Sequence, residues 1–127
     1  MESHKASRYG ALTERKARER YNLTNEQSAW FDGRRPNGKP VEIKAAVLER
    51  RTGRPGRFRI FREPHNKLAR QQGHYVFVVY RPHGRGVSVE DMKMVEAARL
   101  RPKWSNSGHK TAGRSEQHKI DIATIFR

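Results

Sequence analysis

The chain has 127 residues, with 28 Lys+Arg against 13 Asp+Glu, a formal charge of +15 and no Cys. That length fits one domain over 1–127 with a real core, and the charge opposes compaction, which points to a polyanionic partner and to nucleic acid first. The lack of Cys excludes a disulfide framework and any thiolate zinc site, and no apolar run, signal-type segment or continuous basic amphipathic face argues for a membrane, so a soluble, cytoplasmic, nucleoid-associated protein is expected.

Residues 1–8, MESHKASR, read as a polar, flexible start. "YGALTERKARERYNL", 9–23, carries apolar or aromatic residues at 9, 12, 17 and 21 among good helix formers and predicts a helix. Gly33, Pro36, Asn37, Gly38 and Pro40 mark a turn, and "PVEIKAAVLER" alternates as a strand, so a β-hairpin follows. "RRTGRPGR" is a basic loop and "FRIFR" a short alternating segment. "EPHNKLARQQG" reads as a helix stopped at Gly73, and "HYVFVVYRP" as a central buried strand. "VSVEDMKMVEAARL" reads as strand becoming helix, with Ser88 as N-cap. Residues 103–115 read as a basic flexible loop, and "IDIATIF" closes as a strand or short helix. The order predicts a mixed α/β (α+β) layer around one small sheet flanked by helices.

An acidic residue, any residue and Lys occur three times, as Glu14-Arg15-Lys16, Glu42-Ile43-Lys44 and Asp91-Met92-Lys93. The first and third fall in expected helices, where i and i+2 diverge. Only Glu42-Ile43-Lys44 falls in an expected strand, whose period of two puts Glu42 and Lys44 on one face, with Asp32 reachable from the preceding strand. Two close carboxylates suit a hard cation such as Mg²⁺ or Mn²⁺. A metal there polarises a phosphoryl oxygen and acidifies a bound water, while the ammonium orients that water. The plain alternative is that Asp32-Gly33 is turn chemistry and Glu42–Lys44 an exposed pair of little energy.

"FDG" followed, ten residues after the Asp, by "VEIK" resembles the PD-(D/E)XK nuclease superfamily, with Phe31 standing where the superfamily name puts Pro. Within it the chain is similar to archaeal-type Holliday-junction resolvases, because "GALTER" at 10–15 matches the opening of their first helix. The resemblance covers residues 9–82 and implies a restriction-endonuclease-like core. It further implies a metal-dependent DNA endonuclease leaving a 5′-phosphate, structure-selective on branched DNA and working as a symmetric homodimer. Asp32, Glu42 and the Ile43 carbonyl would hold Mg²⁺, for which Mn²⁺ could substitute. Lys44 would position water, and Glu14 would act through metal or water.

Arg50, Arg51, Arg54, Arg57 and Arg59 crowd around Gly and Pro directly after the site strand, a composition able to track phosphates or simply to stay solvated. Arg34, Arg35 and Lys39 extend that basic surface at the hairpin tip, and Lys103, Lys110, Arg114 and Lys119 form a second cluster. Nothing resembles a recognition helix, so weak sequence preference is expected. Gln71 and Tyr75 have the spacing of the QxxxY signature, although Gly73 separates them. The histidines lack the i, i+4 spacing of a zinc helix, and "PHN" at 64–66 matches only a fragment of an HNH site, leaving His65 and His74 as secondary candidates. Trp30 reads as an anchor of the hairpin in the core or a base-stacking platform. Two other readings stay open: a restriction- or repair-type endonuclease on linear DNA, and a non-catalytic nucleic-acid-binding protein.

Overall fold

The computed structural model describes residues 4–105 and 116–127. Helix α1 spans His4–Tyr21, followed by β1 (Gly33–Arg34), β2 (Pro40–Val47), β3 (Arg57–Phe61), α2 (Arg62–Arg70), β4 (His74–His83) and β5 (Gly86–Glu96). A 3-10 turn at Ala97–Arg99, β6 (Gln117–Asp121) and α3 (Ile122–Ile125) complete it. The result is a mixed α+β fold with a mixed sheet and flanking helices, consistent with a PD-(D/E)XK nuclease-like core. No helix among the described residues is long and apolar enough to cross a membrane.

The main sheet has the order β1-β2-β4-β5, with β2 parallel to β4 and the other pairs antiparallel. Strand β4 lies between β2 and β5 and buries Tyr75 to Val79 without a break, which is why its sequence is continuously apolar instead of alternating. The period of two sorts the sheet into two faces. Val41, Ile43, Val76, Val78 and Met92 face α1, where Ala17 and Leu23 meet them. Tyr75, Phe77 and Val79 face the opposite way, onto Phe58, Ile60, Leu68 and Ile120.

The structure departs from the sequence expectation in three places. Helix α1 begins at His4, ahead of Tyr9, while residues 1–3 lie outside the described residues. The sheet is not single: β3 pairs with β6 in a separate two-stranded ribbon, and "IDIATIF" divides into the end of β6 and the whole of α3.

The third departure bears on the site. Residues 86–96 form a strand paired with β4, not a helix, and Ser88 caps nothing. A register shift between Val79 and Tyr80 pairs them with Asp91 and Val89, so Glu90 is an extra bulged residue. Val89 and Met92, three apart, therefore both face α1, and this bulge makes a strand mimic helical spacing. Asp91-Met92-Lys93 is consequently a strand triplet, and helix geometry cannot dismiss it.

Candidate active site

Asp32 sits at the mouth of the hairpin, one residue before β1. Its backbone N–H donates to the Val41 carbonyl at 2.8 Å, and its own carbonyl accepts from Glu26 N–H at 2.9 Å. Strand β1 pairs only with Pro40 and Val41, so beyond Gly33 the edge of β2 has no ladder partner in β1. The Asp32 carboxylate takes that place, Oδ2 accepting the Ile43 N–H at 2.7 Å. A residue's N–H and C=O leave the same side of a strand, so the Ile43 carbonyl faces this same edge. Gly33 is selected by contact, not by turn geometry: a Cβ there would lie 2.1 Å from the Thr24 carbonyl oxygen. Its absence lets the segment after α1 pack against the hairpin, where Thr24 N–H donates to the Arg34 carbonyl at 3.0 Å.

Glu42 and Lys44 leave the face of β2 opposite Ile43 and form an ion pair at 3.2 Å, with side chains 16% and 20% exposed. Phe61 lies on the far side of the ammonium, its ring centroid 5.5 Å from Lys44 Nζ. Glu14, on α1, holds Arg18 one turn later at 3.4 Å.

Burial raises the pKa of Asp32, Glu42 and Glu14 above the ordinary carboxylate range, and it is the largest cause in all three. The negative charge of Asp32 raises Glu42 and Glu14 further. Lys44 opposes the shift in every case, most directly at Glu42; the Ile43 N–H and the Lys44 and Arg18 charges oppose it at Asp32, and Arg18 does so at Glu14. Three partly dehydrated carboxylates, two of them raised by the charge of Asp32, lie around one lysine and favour added positive charge.

The donor set is suited to a hard cation, since Asp32, Glu42 and the Ile43 carbonyl offer oxygen only. Among the described residues no three His, Asp or Glu side chains are gathered into a ready-made metal-binding group. The Glu42 carboxylate gives Oε1 to the Lys44 ion pair, and its second oxygen is not part of that contact.

The other candidates scatter. Arg34 is committed to the hairpin itself, bonding Glu26 at 3.3 Å and the Gly38 carbonyl at 2.9 Å and lying over the Phe31 ring. Arg35 reaches His74 Nε2 at 3.5 Å, and Lys39 contacts Gln72. Among the described residues His74 Nδ1 is a buried atom without a hydrogen-bond partner, and burial lowers the pKa of its ring. His65 is a core residue: Nδ1 lies 2.8 Å from the Tyr75 hydroxyl, and burial lowers its pKa too. Gln71, exposed at the C-terminus of α2, and Tyr75, buried on β4, do not share a helix. Trp30 is half-buried against the core with its ring edge on Phe31.

Arg50, Arg51, Arg54, Arg57 and Arg59 are all exposed, and Lys119 pairs across the ribbon with Arg59. Lys103 is exposed, whereas Lys110 and Arg114 lie outside the described residues. Sequence reasoning missed Arg18 and Phe61. The i, i+4 spacing of Glu14 and Arg18 is a legible signal, but the contact of Phe61 with Lys44 comes from the second ribbon folding over β2 and has no local signature.

A family model described as a PD-(D/E)XK nuclease superfamily domain matches residues 1–127. No curated protein and no solved structure matches the chain.

Proposed function

From the premise that the chain belongs to the PD-(D/E)XK nuclease superfamily, we propose that it is a Mg²⁺-dependent DNA endonuclease, able to use Mn²⁺, whose active site is the hairpin of Asp32, Glu42 and Lys44. The observation that carries the proposal is the Asp32 carboxylate fixed on the Ile43 N–H at 2.7 Å, beside the strand from which Glu42 and Lys44 project. Asp32, Glu42 and the Ile43 carbonyl would hold the metal. When bound, it supplies Lewis-acid polarisation of a phosphoryl oxygen and a more acidic water.

The chain's own residues do the rest. Lys44, whose ammonium has three N–H donors and gives one contact to Glu42, would orient the attacking water and offset charge developing on phosphorus. Glu14, held by Arg18 and raised by the charge of Asp32, would accept a hydrogen bond from that water. Water adds to phosphorus and loses a proton, the P–O3′ bond breaks, the departing 3′ oxygen takes up a proton to become a hydroxyl, and a 5′-phosphate remains, as in the superfamily resemblance. The exposed arginines of 50–59 would grip the backbone. Preference for branched DNA belongs to the same proposal, supported by the "GALTER" opening of α1; action as a homodimer and a nucleoid location are proposed with it.

A second reading, a basic DNA-binding protein without catalysis, is favoured by the Glu42–Lys44 ion pair and the lack of a ready-made metal group among the described residues. The test incubates four-way junction, linear duplex and single-stranded DNA with Mg²⁺ or EDTA, for the natural chain and Asp32→Ala. Metal-dependent cutting that the variant loses supports the nuclease. Salt-sensitive binding with no cutting in any lane supports the second reading and removes the first.

A further inference from the structure

Beside the arginine loop lies a cavity of about 660 Å³, within the range of small-ligand sites. Its floor is apolar, built from Leu48, Ile122 and Phe126, and Arg50, Arg54 and Arg57 stand on its wall. None of those three arginines forms an ion pair among the described residues. Asp121, across the ribbon from Arg57, is the one carboxylate of the lining.

The wall is pre-formed. Arg50 N–H donates to the Arg54 carbonyl at 2.7 Å and Gly53 N–H to the Arg50 carbonyl at 2.9 Å, closing a turn with Gly53 at φ 85°. Gly56 N–H then donates to the Val47 carbonyl at 2.9 Å, an approach so close that a Cβ would sit 2.5 Å from that oxygen. The loop backbone is therefore fixed before a ligand arrives, and ordering falls on the exposed arginine side chains.

Position ties the cavity to the hairpin. Lys44, Ala46 and Leu48 share a face of β2, so Leu48 lies about 13 Å along the strand from Lys44 at about 3.3 Å per residue. Strand β3 runs back from Arg57, in the cavity wall, to Phe61 at Lys44, showing Arg57 and Arg59 to solvent on the way. At about 3.4 Å per stacked nucleotide, that span holds roughly four nucleotides, or fewer if the strand is extended.

We propose that this cavity binds one unpaired nucleotide of the DNA substrate a few nucleotides from the scissile phosphate, with its base on Phe126 and its phosphate on Arg54 and Arg57. The inference deepens the nuclease reading and rests on it. Flat apolar base faces match the floor, arginine forks match a phosphate, and Asp121 accepts from an exocyclic amino group. A base paired in an intact duplex cannot enter, so the substrate class is single-stranded, flapped or branched DNA with unpaired bases near the cut.

The experiment measures binding by fluorescence anisotropy of the full chain in EDTA, where cleavage is off. The probes are a labelled single-stranded oligonucleotide and the same sequence as a blunt duplex at one salt concentration. Ala123→Trp fills the cavity from an exposed lining position, and Phe126→Leu removes the aromatic floor; each is paired with a thermal melt. Stacking of one base supports an expected loss of about tenfold in single-strand affinity for each variant, with duplex affinity changed less than about threefold. Unchanged single-strand affinity, or an equal loss on both probes, in a variant that keeps the natural melt overturns the pocket. Selective loss without any Mg²⁺-dependent cutting retains the pocket and removes the nuclease reading, and cutting with unchanged affinities does the reverse.

Discussion

Strands β2 and β5 carry the same acidic-apolar-lysine triplet on the same face of one sheet. In both, the middle residue turns toward α1, and Ile43 and Met92 are each 7% exposed. Around Glu42-Ile43-Lys44 the sheet edge is open, the Asp32 carboxylate fills it, and burial raises the pKa of three carboxylates. Around Asp91-Met92-Lys93 the outer side chains are exposed: Asp91 accepts from the adjacent Met92 N–H at 3.0 Å, and Lys93 donates to the Ile125 carbonyl at 3.2 Å. The triplet alone therefore does not create the surroundings found at β2. What differs is the second carboxylate and the exclusion of water, both supplied by residues outside the triplet.

Substitutions break this comparison most sharply at β2. Asp32→Ala and Lys44→Ala should each lower the Mg²⁺-dependent cleavage rate by about 10²–10³-fold or more, measured under single turnover. Asp91→Asn and Lys93→Gln, made in the same triplet pattern, should leave that rate within about twofold. A large loss at β5 would mean that the sequence pattern, not its surroundings, carries the chemistry.

The basic surface next to the site gives an intermediate effect. If Arg57 and Arg59 each neutralise a phosphate, Arg57→Gln and Arg59→Gln should each reduce the slope of log affinity against log salt by about 0.7 on single-stranded DNA. Arg34→Gln should leave the slope unchanged, since Arg34 is bonded into the hairpin.

Stability provides the smallest effect. Burial raises the folded-state pKa of Asp32 above its unfolded value near about 3.9, so the folded chain holds that proton more tightly. This contribution to stability is full below the unfolded pKa and is lost as pH rises through the folded one. Asp32→Asn keeps an acceptor for the Ile43 N–H but has no charge to bury. It should melt a few degrees above the natural chain at pH 7, with the gap closing toward about pH 4.

Much of this comparison is legible in the sequence, and the exceptions have physical causes. The hairpin shows because Pro, Asn and Gly punctuate an alternating strand, and the continuously apolar β4 shows because both its faces are covered. The β5 strand hides because the bulged Glu90 puts Val89 and Met92 three apart on one face. The ribbon of β3 and β6 hides because its strands pair across more than fifty residues, leaving no short-range signal. At the site, Asp32, Glu42 and Lys44 are visible as a spacing. The contact of Lys44 with Phe61 and the arginine-walled cavity depend on that same long-range pairing and are not.

Titrating Mn²⁺ into the full chain and following the heat tests whether the β2 hairpin, and not its β5 counterpart, is a divalent-metal site. The natural chain and Asp91→Asn should bind with equal affinity, and Asp32→Asn at least about tenfold more weakly. Undiminished binding by Asp32→Asn, or no binding by the natural chain at millimolar Mn²⁺ even with a non-cleavable DNA present, would contradict that assignment.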